Sequence, residues 1–306
     1  SIMCLSASIM NKIAINLNQN TKANIYAKHN NKFRRSLLNY FFNNEKKIFS
    51  NRKFNDEFSD VLTPDIFFPL LTGKMGKRFV DGSIELLEDK KKFKNTYMIP
   101  SLSKDDPEYD PDGDYWCGRI WPPLNYLVHL ALSTQNRSVE SFELAYNSFM
   151  MFYKEYDENG HVHENLSAFT GRGEPQEGTY ARSCPMYSWG NLMGLMLLEE
   201  IFNVDWNLRL HFGCFYLKNE FDFHNIKVGN IFYSVYNTPE ITMLKKNQND
   251  FISATPAARF LEFKEEWDSI KFKLLGNGKT EIKLSQLGER FEVYVRVNNK
   301  PAHYTN

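Results

Sequence analysis

The arrangement of apolar and polar residues in the first two-thirds of the chain is typical of amphipathic helices. Apolar residues recur three to four positions apart, which places them on one face of a helix. The segment from Ile13 to about Phe42 has this pattern, with a polar, Asn-rich interruption near Gln19. It therefore predicts one helical hairpin.

Further helices follow, separated by long loops rich in Gly, Pro and acidic residues. The Thr-Pro-Asp sequence ending at Asp65 supplies an N-cap and a proline for the first helical position. Helices are predicted from near Asp65, over 124–132, over about 138–156 and over 186–202. Their repetition suggests stacked helical hairpins whose loops gather on one face.

The last third of the chain has a different pattern. Segments 230–236, 269–275, 280–284 and 292–297 alternate or cluster β-branched and aromatic residues. The sequence Gly276-Asn-Gly278 is typical of a hairpin turn. We therefore expect a mainly α protein with two domains, a helical one over 1–206 and an antiparallel β-sandwich over 207–306.

Charge and composition narrow the choice of partner. The chain has 306 residues, with 37 basic and 37 acidic side chains and a net charge of zero. No net field attracts a polyanion, so neither nucleic acid nor an anionic membrane is expected as a partner. No segment reaches the roughly 20 apolar residues that a membrane helix needs. The zero net charge fits an uncharged partner better than a polyanion.

The cysteines provide little support for a metal site or for secretion. Cys4, Cys117, Cys184 and Cys214 are widely spaced and form no zinc-binding pattern. Such sparse usage is compatible with a reducing compartment, which favours the cytoplasm. We expect neither a cofactor nor a metal.

The segment 113–126 concentrates aromatic and polar side chains beside a helix start. It contains the candidate ligands Tyr115, Trp116, Arg119, Trp121 and Asn125. Indole rings can cover the apolar face of a sugar, while Arg and Asn donate hydrogen bonds to its hydroxyls. The alternative is an aromatic cluster that seals the end of a helix.

A second candidate is the sequence His161-Val-His-Glu-Asn165, in a loop after a long helix. A carboxylate at Glu164, between His163 and Asn165, could be held ionised and take a proton from water. The alternatives are a solvated loop Glu or a metal site at the two histidines. No third ligand stands at a diagnostic spacing for a metal.

Together these stretches resemble the C-terminal part of the (α/α)6-barrel glycosidases. That group includes mannosylglycerate and glucosylglycerate hydrolases, processing α-glucosidase I and, more distantly, trehalases. The resemblance covers roughly residues 10–205. It rests on an ordered series: Leu62-Thr-Pro64, Phe68-Pro-Leu70, Pro100-Ser101, Tyr115-Trp116, Gly118, Ile120 to Tyr126, His163-Glu164-Asn165, Thr170-Gly171 and Tyr187-Ser-Trp189-Gly190.

The resemblance implies a toroid of helical hairpins that hydrolyses an α-glycosidic bond with inversion. Such enzymes pair a general acid with a general base about 6.5–9.5 Å away. Glu164 matches the general base. The implied contacts to a small oligosaccharide or glycoside are Tyr115, Trp116, Arg119, Trp121, Asn125, Asn165, Tyr187 and Trp189.

Two departures from the family pattern affect these expectations. Cys117 and Arg119 stand where the family often has Arg and Pro. The family's general acid is an Asp in a Trp-Asp motif upstream of the base, and no Trp precedes Trp116. Only about three hairpins are countable, so we expect a piece of a longer protein, with the acid in its N-terminal region.

Other hypotheses for the general acid and for the function of the chain stay open. Asp65 and Asp114 are the candidate acids within the chain, although neither matches the family motif. The chain could also be a non-catalytic, carbohydrate-binding relic of the toroid. A structural helical interaction module is a third possibility.

Overall fold

The computed structural model describes residues 1–113, 115–174, 183–205, 207–216, 220–267, 269–285, 296–297 and 300–301. The chain forms two compact units, a helical unit Ser1–Glu199 and a β unit Glu200–Asn306. The α-helices are α1 Ile2–Asn16, α2 Asn20–Ser36, α3 Lys77–Glu88, α4 Pro122–Thr134, α5 Ser138–Asn159 and α6 Leu192–Ile201. Within the described part of the chain, no helix is both long and apolar enough to cross a membrane.

The first two helices form the predicted hairpin. The chain turns between α1 and α2 at Asn18, in a left-handed conformation, and Gln19 is the N-cap of α2. Amide side chains join the helices, since Asn11 donates to the carbonyl of Ala23 at 2.7 Å. The hairpin begins at Ile2, earlier than the predicted Ile13. A short π-helix, Leu37–Phe41, and the strands β1 Phe42–Asn43 and β2 Ile48–Phe49 follow α2.

The helix predicted from near Asp65 is two separate elements. A 3₁₀ helix, Pro64–Thr72, has Thr63 as its N-cap and contains Pro69, whose missing N–H is incompatible with a regular α-helix interior. After Gly73 the chain forms α3 as a distinct helix. The 3₁₀ helix packs against α4, and Phe67 and Leu70 lie fully buried in the core of the helical unit.

The later helices agree closely with the predicted bounds. Helix α5 ends at Gly160 in a left-handed conformation. Of its apolar residues at helical spacing, Phe142 and Ala145 are buried, whereas Val139 and Tyr153 are exposed. Its whole buried face consists of Ser141, Phe142, Leu144, Ala145, Ser148, Met151 and Glu155. The predicted helix 186–202 is a 3₁₀ turn, Ser188–Asn191, followed by α6.

The β unit is built from antiparallel sheets. Its strands are β3 Phe202–Val204, β4 Leu210–Phe212, β5 Phe221–Val228, β6 Ile231–Asn237, β7 Thr242–Lys246, β8 Asn249–Thr255, β9 Ala258–Glu265, β10 Ile270–Gly276, β11 Glu281–Leu284, β12 Arg296–Val297 and β13 Lys300–Pro301. The two larger sheets have the orders β10-β9-β4-β3 and β11-β8-β7-β6-β5, and β12 pairs with β13. Rings from the two sheets touch, as Phe251 and Phe263 do at 5.9 Å.

The turn predicted at Gly276-Asn-Gly278 does not join hydrogen-bonded partners, so the hairpin prediction is wrong. Strand β10 pairs with β9, whereas β11 pairs with β8 in the other sheet. Gly278 has the positive φ that a turn needs, but this turn carries the chain from one sheet to the other. Of the strand predicted over 292–297, only residues 296–297 are described.

Candidate active site

Short antiparallel contacts join the loops of the helical unit. The N–H of Ser101 donates to the carbonyl of Arg119 at 3.0 Å. Ile120 and Leu166 exchange both backbone hydrogen bonds, at 2.8 and 3.0 Å. The loop before α4 and the loop after α5 therefore lie side by side.

The segment around Glu164 is also paired on its other side. Its own N–H donates to the carbonyl of Cys184 at 2.9 Å, and the N–H of Tyr187 donates to Val162 at 3.2 Å. Glu164 consequently lies on a segment that is flanked by two aromatic stretches, the one within 113–126 and the one from Tyr187 to Trp189.

Five aromatic side chains from these loops form one connected cluster, here called the aromatic platform: Tyr115, Trp116, Trp121, Tyr187 and Trp189. Trp116 stacks on Trp121 with ring centroids 3.8 Å apart and planes 15° apart. Trp121 also contacts Tyr115 and Trp189, and Trp189 contacts Tyr187. Trp121 is fully buried, whereas Tyr115, Trp116 and Trp189 are 46%, 42% and 39% exposed. The platform thus has a fixed base and open ring faces.

The backbone holds the platform in place. Tyr115 adopts φ +52°, a conformation that costs about 1–3 kcal/mol for a bulky residue. Its carbonyl accepts a hydrogen bond from the indole N–H of Trp121 at 2.9 Å. Gly118, with φ +144°, has no room for a side chain, because a Cβ would lie 2.3 Å from the carbonyl of Asp110. Backbone strain of this kind is characteristic of functional sites.

The carboxylate of Glu164 is half-buried and lies between two buried neighbours, His163 and Asn165. The Nδ2 amide of Asn165 donates to Glu164 Oε2 in a long hydrogen bond of 3.4 Å. A half-buried carboxylate with one amide donor can accept a proton from water.

Arg119 is fully buried, and its guanidinium is engaged by protein atoms. It donates from Nε to Asn165 Oδ1 and from Nη2 to the carbonyl of Gly173 at 3.1 Å, and Nη1 lies 3.7 Å from Asp112. Burial lowers the pKa of Arg119, and the carboxylates of Asp112 and Glu155 oppose that shift. The guanidinium holds the loop that bears Asn165.

Glu155, on α5, is a site residue that the sequence patterns did not single out. Its carboxylate lies 2.6 Å from Nδ1 of His163, and both residues are almost fully buried. The N–H of Gly173 donates to its other oxygen at 3.0 Å. Burial by itself would raise the pKa of Glu155, but the hydrogen bonds from His163 and Gly173 and the charges of His163 and His161 lower it overall. The carboxylate is therefore ionised near neutral pH.

Comparisons with known proteins identify relatives of this chain. The family model of the mannosylglycerate hydrolase MGH1-like glycoside hydrolase domain matches residues 1–189. The chain belongs to this family.

Individual relatives of this chain are distant, and the chain spans only part of each. Mannosyl-oligosaccharide glucosidase from Saccharomyces cerevisiae is 29% identical over 107 residues, which are 31% of this chain and 13% of the yeast protein. A GH63 mannosylglycerate hydrolase from Thermus thermophilus, solved in complex with glucose, has a TM-score of 0.52 at 19% identity, covering 64% of this chain and 45% of that one. A solved structure described as a sialidase has a TM-score of 0.64 at 14% identity, covering 80% of this chain and 24% of that one.

Three polar residues predicted as sugar ligands make protein contacts in this MGH1-like chain. The Asn125 amide is occupied by the N–H and carbonyl of Ile99 and by the carbonyl of Trp121, at 2.8 to 3.1 Å. Arg119 and Asn165 bind each other, as described above. Direct sugar contacts by these three side chains stay predictions, and their observed contacts position the loops.

Asp65 and Asp114 are the two candidate general acids within the chain. Asp65 is half-buried and accepts hydrogen bonds from Thr63 and, at 2.9 Å, from Asn51. These contacts keep it at the start of the 3₁₀ helix. Asp114 lies outside the described residues.

Proposed function

We propose that this chain carries the base-bearing part of the active site of an inverting α-glycoside hydrolase. The observation that carries the proposal is the position of Glu164, a half-buried carboxylate on a segment hydrogen-bonded to both aromatic stretches. In this proposal the aromatic platform binds one sugar ring and Glu164 activates the water that attacks it.

The platform has the properties of a sugar-binding surface. The open face of Trp116 is backed by the buried ring of Trp121, so it is held rigid without any ligand. A rigid indole face covers the C–H face of a pyranose with little loss of conformational entropy. The exposed Tyr115 and Trp189 border this face and would contact the same or a neighbouring ring.

In an inverting mechanism Glu164 takes a proton from a water molecule as that water attacks the anomeric carbon. A carboxylic acid on the opposite face protonates the leaving oxygen, and the two carboxyl groups stand about 6.5–9.5 Å apart to leave room for the water. We place the acid in an N-terminal region outside these 306 residues. The helical unit would then be part of a larger (α/α)6 toroid.

The proposed substrate is a small α-glucoside or α-mannoside. The support is family membership, together with the glucose complex of the T. thermophilus relative and the glucosidase activity named for the yeast relative. Because the chain covers less than half of either protein, both substrate and activity are proposals for this chain.

The test is hydrolysis of a panel of α-linked glucosides and mannosides by the longer protein that includes the proposed N-terminal acid region, and by its Glu164→Gln variant. We expect the hydrolysis rate of the variant to be lower by about 10²–10⁴-fold or more. The unaltered protein should release the β-anomer, which proton NMR detects. Glu158→Gln, which removes a carboxylate from a surface ion pair with Arg172, is the matched control and should keep full activity. Retention of the anomeric configuration, or full activity of Glu164→Gln, would refute the assignment.

The second candidate is a non-catalytic carbohydrate-binding domain. It is favoured by the absence of the family's Trp-Asp acid motif upstream of Trp116. This candidate predicts no turnover, but saturable sugar binding that weakens in Trp116→Ala. Absence of both turnover and binding would favour a structural role instead.

A further inference from the structure

We propose that Glu155 and Arg119 are positioning residues for Glu164, acting through a hydrogen-bonded ring that fixes both of its neighbours. This inference rests on the proposed role of Glu164 as the base. Neither residue needs to touch the sugar or the attacking water for this role.

The ring is continuous from one neighbour of Glu164 to the other. His163 bonds to Glu155 at 2.6 Å, and Glu155 accepts the N–H of Gly173 at 3.0 Å. The carbonyl of Gly173 accepts from Arg119 at 3.1 Å, and Arg119 donates to the side-chain oxygen of Asn165. Each link joins a group on a different loop or helix, so the segment 163–165 is tied to α5, to the platform loop and to the loop at Gly173.

The polar side chains of the ring are buried. Arg119, Glu155 and His163 are 0%, 2% and 3% exposed. A buried ionised group is tolerated only where partners compensate for its lost hydration. Each member therefore has one favourable arrangement, which makes the ring rigid.

Gly173 permits the ring to close. A Cβ at this position would lie 2.1 Å from the imidazole of His163. Only glycine lets the backbone approach close enough for its N–H to reach Glu155 and its carbonyl to reach Arg119.

The result for Glu164 is a fixed carboxylate with a fixed donor. Arg119 holds Asn165 by its oxygen, which directs the amide nitrogen of Asn165 toward Glu164 Oε2 at 3.4 Å. A hydrogen bond donated to a carboxylate favours its ionised form, which is the form a general base requires. Misplacement of a reacting group by about 1 Å commonly costs on the order of 10²-fold in rate.

The experiment uses variants that conserve charge, Glu155→Asp and Arg119→Lys, so that long-range electrostatics change little. Glu155→Asp shortens the side chain, and Arg119→Lys removes the planar fork. Glu158→Asp is the control, because Glu158 lies on the same helix and pairs at the surface with Arg172. The surroundings of Glu164 are followed by ¹³C NMR of its labelled carboxyl group, assigned by comparison with Glu164→Gln.

We expect the carboxyl resonance of Glu164 to shift in both ring variants, because the Asn165 donor is no longer fixed, and to stay unchanged in Glu158→Asp. Where turnover is measured, kcat should fall about 10- to 100-fold while KM changes less than about twofold. An unchanged resonance of Glu164 in folded ring variants would overturn the inference. This NMR result needs no catalytic activity.

A measurement on the unaltered chain covers the case in which a variant does not fold. ¹⁵N NMR of the imidazole of His163 should show a proton on Nδ1, donated to Glu155. A neutral His163 with its proton on Nε2 alone would contradict the ring. Full activity of Glu164→Gln would instead refute the proposed function, and the two failures are therefore distinguishable.

Discussion

The loops around Glu164 and the interior of the β unit are held together by different kinds of contact. The β unit is held by aromatic side chains: Phe212 stacks on Phe260 at 4.6 Å, and Phe263 packs against both. The pair Arg259 and Glu200, joined at 2.7 Å, adds a buried ion pair to this unit. Apolar burial is non-directional, so it stabilises a fold without placing any one atom accurately.

The loop region of the helical unit buries a dense group of polar side chains: Arg119, Asn125, Glu155, His163 and Asn165. Buried polar groups are costly unless each is satisfied, and satisfied networks specify one arrangement. A satisfied polar network fixes the positions of its atoms more closely than apolar packing does. Around Glu164 such a network surrounds the candidate base.

The largest effect should come from breaking the buried pair at Glu155. Glu155→Ala leaves His163 and the N–H of Gly173 without their partner, and we expect a loss of about 3–5 kcal/mol in the free energy of unfolding. Glu158→Ala, which removes a surface ion pair, should cost less than about 1 kcal/mol. Urea unfolding measures both, and equal losses would contradict the comparison.

Removal of a core aromatic side chain of the β unit should lower the free energy of unfolding by a similar amount, but its effect should be confined to that unit. Phe260 is fully buried, so Phe260→Ala should lose about 3–5 kcal/mol through the cavity it creates. Hydrogen–deuterium exchange should show lost protection in peptides of the β unit and unchanged protection around Glu164. Phe232→Ala, at an exposed position of the same unit, is the control.

A smaller effect is expected from Gly173→Ala. The added methyl group meets the ring of His163, so the loop must shift, at a cost of about 1–3 kcal/mol. Gly229→Ala is the matched control for adding a methyl group, because a Cβ there meets nothing within 4 Å; its φ of +60° adds local strain only. Sugar binding should weaken in Gly173→Ala and stay unchanged in Gly229→Ala.

The smallest effect is the pH dependence contributed by Glu155. Its pKa is lowered in the folded chain from the ordinary value of 4.5, so its contribution to stability is complete above that value. The contribution is lost as the pH falls through the folded pKa. The difference in unfolding free energy between the chain and Glu155→Gln should therefore shrink on acidification below pH 4.5. A difference that is constant with pH would contradict an ionised Glu155.

The elements with strong local signals could be predicted from the sequence. The start of α4 at Pro122, two residues before the predicted 124, and the polar break near Gln19 depend on residues within one turn of the boundary. The order of strands could not be predicted. The Gly276-Asn-Gly278 turn satisfies local turn chemistry, yet its flanking strands pair in different sheets because sheet pairing is a long-range choice.

The sequence singled out the exposed aromatic residues of the candidate site but not all of the polar residues buried beneath it. Aromatic density identified the platform, because Trp and Tyr beside a helix start are visible as a cluster. Glu155 resembled an exposed helical Glu, since its partner His163 lies beyond the end of α5. The available signal was its spacing from Ser148 and Met151 on the face that α5 buries.

The central claim is that the aromatic platform beside Glu164 binds a sugar. The most direct test is a titration of the Glu164→Gln chain with sugar, in which tryptophan fluorescence reports binding. We expect saturable binding of an α-glucoside or α-mannoside, weakened at least about tenfold by Trp116→Ala and unaffected by Trp267→Ala at an exposed position of the β unit. Binding that survives Trp116→Ala, or that is lost equally in Trp267→Ala, would contradict a sugar site on the aromatic platform beside Glu164.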